Sequence, residues 1–158
     1  MSVTYALEAW PDVVGEMVSL WSLHWTEVAL DHDRVPLDPD LELYRAMHNA
    51  GALHVVVARR EGRVIGYHIS IVKTHLHYRS TLHALVDIYF VDPAERKGMV
   101  GIKLLREAER LLKQRGVVKI ISATKVHTSC ATGRPLDMAK IFLRLGWKEA
   151  ERTFVKCI

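Results

Sequence analysis

The stretch of this chain best suited to chemistry runs from Val86 to Leu105. There the hydrophobic series Val86-Asp87-Ile88-Tyr89-Phe90-Val91 meets Asp92-Pro93 and then a basic turn, Arg96-Lys97-Gly98-Met99-Val100-Gly101, that opens a helical pattern. A strand delivered into a helix start leaves main-chain N–H groups without helical acceptors and points the positive end of the helix dipole the same way. Glycine lets a ligand come close to that backbone. These are the requirements of a phosphate site. The competing reading is a loop shaped by Gly98 and Gly101 with Arg96 and Lys97 merely solvated, because short glycine patterns are weak motifs. Other reactive residues lie elsewhere. Cys130 and Cys157 have no CxxC spacing and are expected as free thiols, and nothing in the sequence is placed to activate Cys130 as a nucleophile. His75 and His77 alternate onto one strand face, and a turn centred on Arg79 sets His75 opposite His83. Zinc accepts imidazoles, but no fourth ligand is evident, and no metal is expected.

The elements that must position the turn follow from periodicity. A strand is predicted at Val3–Leu7, then a helix opening near Pro11 with an apolar stripe at Val14, Met17, Val18, Trp21 and Trp25. The proline- and aspartate-rich stretch 31–40 ends it, and a second helix over Leu41–Asn49 stops at Gly51. The β-branched runs Leu53–Ala58 and Val64–Val72, split by Glu61-Gly62-Arg63, read as a hairpin. A further hairpin turns near His77–Ser80 and returns over Leu82–Val91. From Met99 the period is helical, with Val100, Leu104, Ala108, Leu111 and Leu112 on one face until Gly116. A strand at Val117–Ala123, a helix over Leu136–Leu145 and a final strand near Glu151–Cys157 complete the order. Strand, helix and strand around residues 99–115 form a parallel crossover, which places the helix start at the carboxyl ends of strands, where ligands bind.

At 158 residues, 49% hydrophobic and 25% charged, the chain has the composition of one globular domain, neither disordered nor fibrous. It has no apolar run of the roughly 18 to 20 residues a membrane span needs, and no basic-then-apolar leader, so a cytoplasmic protein is expected. Charge is uneven: residues 1–50 hold nine acids and two bases, and residues 51–158 hold nine acids and twenty bases. The basic part suits a polyanion such as a phosphorylated cofactor or a nucleic acid, and the acidic part suits a cation.

With these residues in view, the chain resembles the GNAT superfamily of acyl-CoA-dependent N-acyltransferases, over nearly its whole length in element order. The family's Arg/Gln-x-x-Gly-x-Gly/Ala motif, which holds the pyrophosphate of coenzyme A, aligns with Arg96 first and Gly101 last, after the lead-in Val91 and Pro93. Met99 occupies the middle glycine's place, with Gly98 one residue earlier. The stretch Ala139–Trp147 is similar to the family's late helix, which ends in Leu-Gly-aromatic. The resemblance implies one α+β domain over 1–158, with an acceptor side in 1–51 and a cofactor-binding core in 52–158. A mostly antiparallel mixed sheet of six to seven strands with about four helices is expected.

It also implies roles. Acetyl-CoA is the cosubstrate, bound by the main chain at Phe90 and Val91, by Arg96, Lys97, Gly98, Met99, Val100, Gly101 and Ile102, and near Phe142. Asp87 takes the base position, acting through water or by steering the ammonium, because a carboxylate of pKa about 3.9 is weak for direct abstraction. His83 is the alternative base, and strand alternation puts His83, Leu85, Asp87 and Tyr89 on one side. The family's acid, a tyrosine in the late helix, falls on Phe142, which holds no proton. Tyr89 or a water is the substitute. In the first two helices, Trp21, His24, Trp25 and Asp31 offer an aromatic and acidic rim to a cationic amine, although Trp21 and Trp25 at i, i+4 also suit a core.

The leading expectation is transfer of an acetyl or short acyl group to a primary amine of a small molecule, peptide or protein side chain. A cofactor-binding domain without turnover and a basic nucleic-acid module are the alternatives, and the second lacks interleaved aromatic residues. No membrane partner is expected, and a final strand at the C-terminus leaves room for a homodimer through shared sheet edges.

Overall fold

In the computed structural model the described residues are 2–129 and 131–158, so Met1 and Cys130 lie outside them. The chain folds as β1 (Val3–Leu7), α1 (Trp10–Val28), α2 (Leu41–Asn49), β2 (Leu53–Arg60), β3 (Arg63–His75), β4 (Tyr78–Val91), α3 (Val100–Gln114), β5 (Val117–Ile121) and α4 (Ala139–Arg144). A short 3-10 turn covers Pro93–Glu95. The strands form one sheet in the order β1-β2-β3-β4-β5. The first four pair antiparallel, β2, β3 and β4 through short hairpin turns and β1 with β2 across the two intervening helices, and β5 pairs parallel to β4 because α3 is the crossover between them. This is a single α+β domain.

Each face of the sheet is buried by helices of matching amphipathicity. On one face α1 inserts Trp10, Val13, Met17 and Trp21, at i, i+3 and i+4 spacing, against Val55, Val57, Tyr67, Ile69 and Phe90. The stripe sits slightly round the helix from the expected one, and Val18 is 40% exposed. Helix α2 joins this layer with Tyr44 and Met47, and Asp40 caps it by accepting the Leu43 N–H at 2.8 Å. On the other face α3 sets Val100, Leu104 and Ala108 against Val56, Ala58, Ile65 and Val91. No helix among the described residues is long and apolar enough to cross a membrane.

Two expectations are corrected. The described residues form five strands rather than six or seven, since no strand forms over 151–157. Here the tail instead contacts the α1–α2 loop, where Cys157 Sγ donates to Asp31 at 3.4 Å and Arg34 donates to the Ile158 carbonyl at 3.3 Å. Helix α4 also begins later than Leu136. Asp137 accepts the Ala139 N–H at 2.8 Å and Thr124 Oγ1 accepts the Met138 N–H at 2.7 Å, so the cap sits after Pro135, which pairs with Thr128 in an isolated bridge.

Candidate active site

Strand β4 outruns its neighbour. Its pairing with β5 covers Leu82 to Leu85, where Leu85 meets Ile121, the last residue of β5. Antiparallel pairing with β3 continues to Val91. From Val86 to Val91 one edge of β4 therefore faces no strand among the described residues, and main-chain groups on it other than the Val91 carbonyl can pair with an extended ligand. Their direction can be read at the end of the strand. The Phe90 carbonyl points at β3, where a Cβ on Gly66 would meet it at 2.9 Å, whereas the Val91 carbonyl is turned to the other side and accepts Arg96 Nε at 2.8 Å. Because N–H and C=O of one strand residue point the same way, the Val91 N–H lies on the open edge.

That edge leads into the start of α3. Asp92 caps the intervening turn by accepting the Ala94 N–H at 2.9 Å. Gly98 has φ +86°, the left-handed value that only glycine adopts freely, while Met99 has φ −106°. The left-handed residue thus sits where the sequence has its glycine, and Met99 needs none. Helix α3 has no capping side chain, and its first helical bond runs from Lys103 N to Met99 O at 2.9 Å. The N–H groups of Val100, Gly101 and Ile102 are left for a ligand, with the helix dipole behind them. Gly101 is required for another reason. A Cβ there would collide with the Tyr89 hydroxyl, so Tyr89 braces the first turn of α3 and leaves space only for glycine.

The opposite face of β4 carries side-chain chemistry. Ile69 pairs with Ile88 and Ser70 with Val86, which leaves Asp87 as the extra residue of a β-bulge. The bulge resets the alternation. Ala84 packs in the layer under α3 with Leu112, but beyond the bulge Ile88 and Phe90 pack towards α1, while Tyr89 and Val91 face α3. Asp87 accepts the Tyr44 hydroxyl from α2 at 2.5 Å. Tyr44 stacks on Trp10 with centroids 4.6 Å apart and lies against Trp21 at 5.8 Å. Burial first, then the bond to Asp87, pushes the Tyr44 phenol well above its usual value, so it stays a donor. His24 stacks on Phe90 at 4.6 Å, and burial pulls it down to about 4, so it is neutral at pH 7.

The structure brings together only part of the expected set. Asp87 and His24 share the α1 side near the end of β4, and Trp21 is 5% exposed in the layer behind them. Tyr89 does not join Asp87, because the bulge sends it to the α3 face. His83 shares the side of Asp87 but stands four residues away, about 13 Å along the strand. It contacts Thr81 at 3.1 Å and stacks on His75 at 5.9 Å. His75 itself pairs in register with Tyr78 rather than with His83. Among the described residues no group of three or more His, Cys, Asp or Glu side chains could hold a metal. Trp25 stacks on His32 at 4.3 Å, and Asp31 sits exposed in the following loop. Lys97 is exposed beside the turn. Phe142 is buried against Trp147, whose indole donates to Glu109 of α3 at 2.5 Å. The reading of Cys130 falls outside the described residues. Sequence reasoning missed Tyr44 and Glu27. The available signal was an acid near the inward face of an apolar helix, which calls for a buried cation.

The model of one protein family, described as acetyltransferase (GNAT) family, matches residues 16–132. The chain belongs to the acetyltransferase (GNAT) family. Its N-acetyltransferases take the acyl group from acetyl-CoA, and the open β4 edge with the uncapped α3 start suits an extended arm and a diphosphate. Solved structures agree on the fold. An aminoglycoside acetyltransferase from an uncultured soil metagenomic sample superposes with TM-score 0.73 at 15% identity, covering 100% of this chain and 99% of that one. AAC(6')-Iy, solved with the bisubstrate analog CoA-S-monomethyl-acetylneamine, gives TM-score 0.71 at 18% identity, covering 100% and 99%. Glucosamine-6-phosphate N-acetyltransferase from Arabidopsis thaliana gives TM-score 0.72 at 11% identity, covering 99% of each. No curated protein matches the chain in sequence.

Proposed function

We propose that this GNAT-family acetyltransferase moves an acetyl group from acetyl-CoA to a primary amine of a small molecule, peptide or protein side chain, with Asp87 handling the proton. One observation carries the reading: β4 runs past the end of β5 into the uncapped start of α3, while the bulge turns Asp87 to the other face of the same strand. The N–H groups of Val100, Gly101 and Ile102 hold the diphosphate, and the Val91 N–H on the open edge binds and polarises the extended thioester arm. Asp87 steers the ammonium and accepts its proton through a water, and Tyr44 fixes the carboxylate. The amine nitrogen then bonds to the acetyl carbon as the carbon–sulfur bond breaks, leaving its electron pair on sulfur. Phe142 supplies no proton there, so the second proton that the nitrogen sheds on becoming an amide passes through water to the thiolate.

The Asp87 carboxylate, set among the aromatic residues Tyr44 and His24, favours a cationic acceptor over an alcohol, in keeping with neighbours named for aminoglycosides. The reading as a nucleic-acid module has less support, because Arg59, Arg60, Arg63, Arg96 and Arg110 are all paired with carboxylates. A domain that binds coenzyme A without turnover is favoured by Phe142 alone. A panel of aminosugars, polyamines and lysine peptides incubated with acetyl-CoA, read by thiol release, tests the proposal. Acceptor-dependent release supports it. Cofactor binding with no release above hydrolysis across the panel favours the inactive domain.

A further inference from the structure

The end of α1 is fastened to the cofactor turn by an ion pair between a buried carboxylate and a partly exposed arginine. Glu27, in the last turn of α1, is 4% exposed, and a carboxylate taken that far from water needs a hydrogen-bonded cation. Arg96 supplies it across 69 residues of sequence, with Nη1 and Nη2 each 2.5 Å from one Glu27 oxygen. The same guanidinium gives Nε to the Val91 carbonyl at 2.8 Å and lies 5.3 Å from the centre of the Phe90 ring. Three of its roughly five N–H bonds are therefore spent inside the protein. The first residue of the phosphate motif faces inward, towards a carboxylate.

We propose that Glu27 is a positioning residue for the cofactor site. It acts through Arg96, which ties the end of β4 to the turn before α3. The inference rests on the reading of that turn as the acetyl-CoA site. Arg96 is bonded to the carbonyl of Val91, whose N–H lies on the open edge, and stands two residues before the left-handed Gly98. A carboxylate on α1 thus sets where the strand end and the turn stand relative to each other. His24, three residues earlier, stacks on Phe90 at 4.6 Å and fixes the same strand end from the same helix.

Calorimetric titration of coenzyme A into wild type, Glu27→Gln, Arg96→Gln and the double variant tests the proposal. Each single variant is expected to weaken binding about tenfold, and the double variant no further, because both changes break one link. Unchanged or tighter binding in Glu27→Gln, or losses that multiply in the double variant, overturns it. Urea unfolding of the same proteins separates a purely structural role, which shifts the midpoint while leaving the dissociation constant of the folded protein alone. If Glu27→Gln does not fold, Glu27→Asp keeps the charge one methylene short. An intermediate loss of affinity then supports the proposal, and wild-type affinity overturns it. Wild type that fails to bind coenzyme A removes the proposed function and this inference together, whereas normal wild-type binding with an unaffected Glu27→Gln removes this inference alone.

Discussion

At the carboxyl end of β4 the groups proposed to meet the cofactor are main chain: the Val91 N–H on an open edge, then the N–H groups of Val100, Gly101 and Ile102 at the uncapped start of α3. Around Asp87, on the other face of the same strand, they are side chains gathered from α1, α2 and β4. The first region tolerates changes of side chain but not of backbone conformation or clearance. The second, held by α1, α2 and the bulge in β4, is expected to fail when a single functional group is altered. This contrast states where each kind of substitution should hurt.

The largest effect is expected on the side-chain region. Asp87→Asn keeps the shape and the Tyr44 contact but removes the proton acceptor, so turnover should fall by about 10² to 10⁴ while coenzyme A affinity holds. Steady-state rates beside calorimetry measure both, and a matching loss of affinity breaks the proposed separation. Next comes the clearance under α3. Gly101→Ala places a methyl group against the Tyr89 hydroxyl and should cost about 1 to 3 kcal/mol in urea unfolding, with weaker cofactor binding. Tyr89→Phe in the same protein removes the obstructing oxygen and should recover part of both losses.

Acid should destabilise the fold through half-buried His24 and buried His54 and His68. His24, His54 and His68 are each held down to about 4, first by burial, against the usual 6.5. The unfolded chain therefore binds protons that the folded one refuses. The stability these groups contribute is complete above about pH 6.5 and is lost as pH falls towards about 4, by up to about 3 kcal/mol each. Urea midpoints at pH 7 and pH 5 check the sign, and a higher midpoint at pH 5 contradicts it. The smallest effect is expected at Met99→Gly. Because the left-handed φ belongs to Gly98, restoring the family's glycine should leave affinity unchanged, whereas Gly98→Ala should cost about 1 to 2 kcal/mol.

The same contrast explains what the sequence made legible. The cofactor turn is local, so strand period, Asp92-Pro93, glycine and helix period announce it within twenty residues. The order of helices and strands was readable for the same reason up to α4. The failures are non-local. A one-residue bulge against β3 put Tyr89 on the face opposite Asp87, and no spacing within β4 shows it. Tyr44–Asp87 and Glu27–Arg96 join residues 43 and 69 positions apart. The tail, read as a strand near Glu151–Cys157, forms none, since pairing depends on an edge that its own residues do not encode.

Thermal or urea unfolding with and without coenzyme A tests the central claim, that main-chain donors from Val91 to Ile102 form the cofactor site. At about 100 times the dissociation constant the ligand should add about 2.7 kcal/mol. Gly98→Ala and Gly101→Ala should reduce that gain, whereas Asp87→Asn should not. No stabilisation at saturating coenzyme A, or a gain untouched by both glycine substitutions, contradicts it.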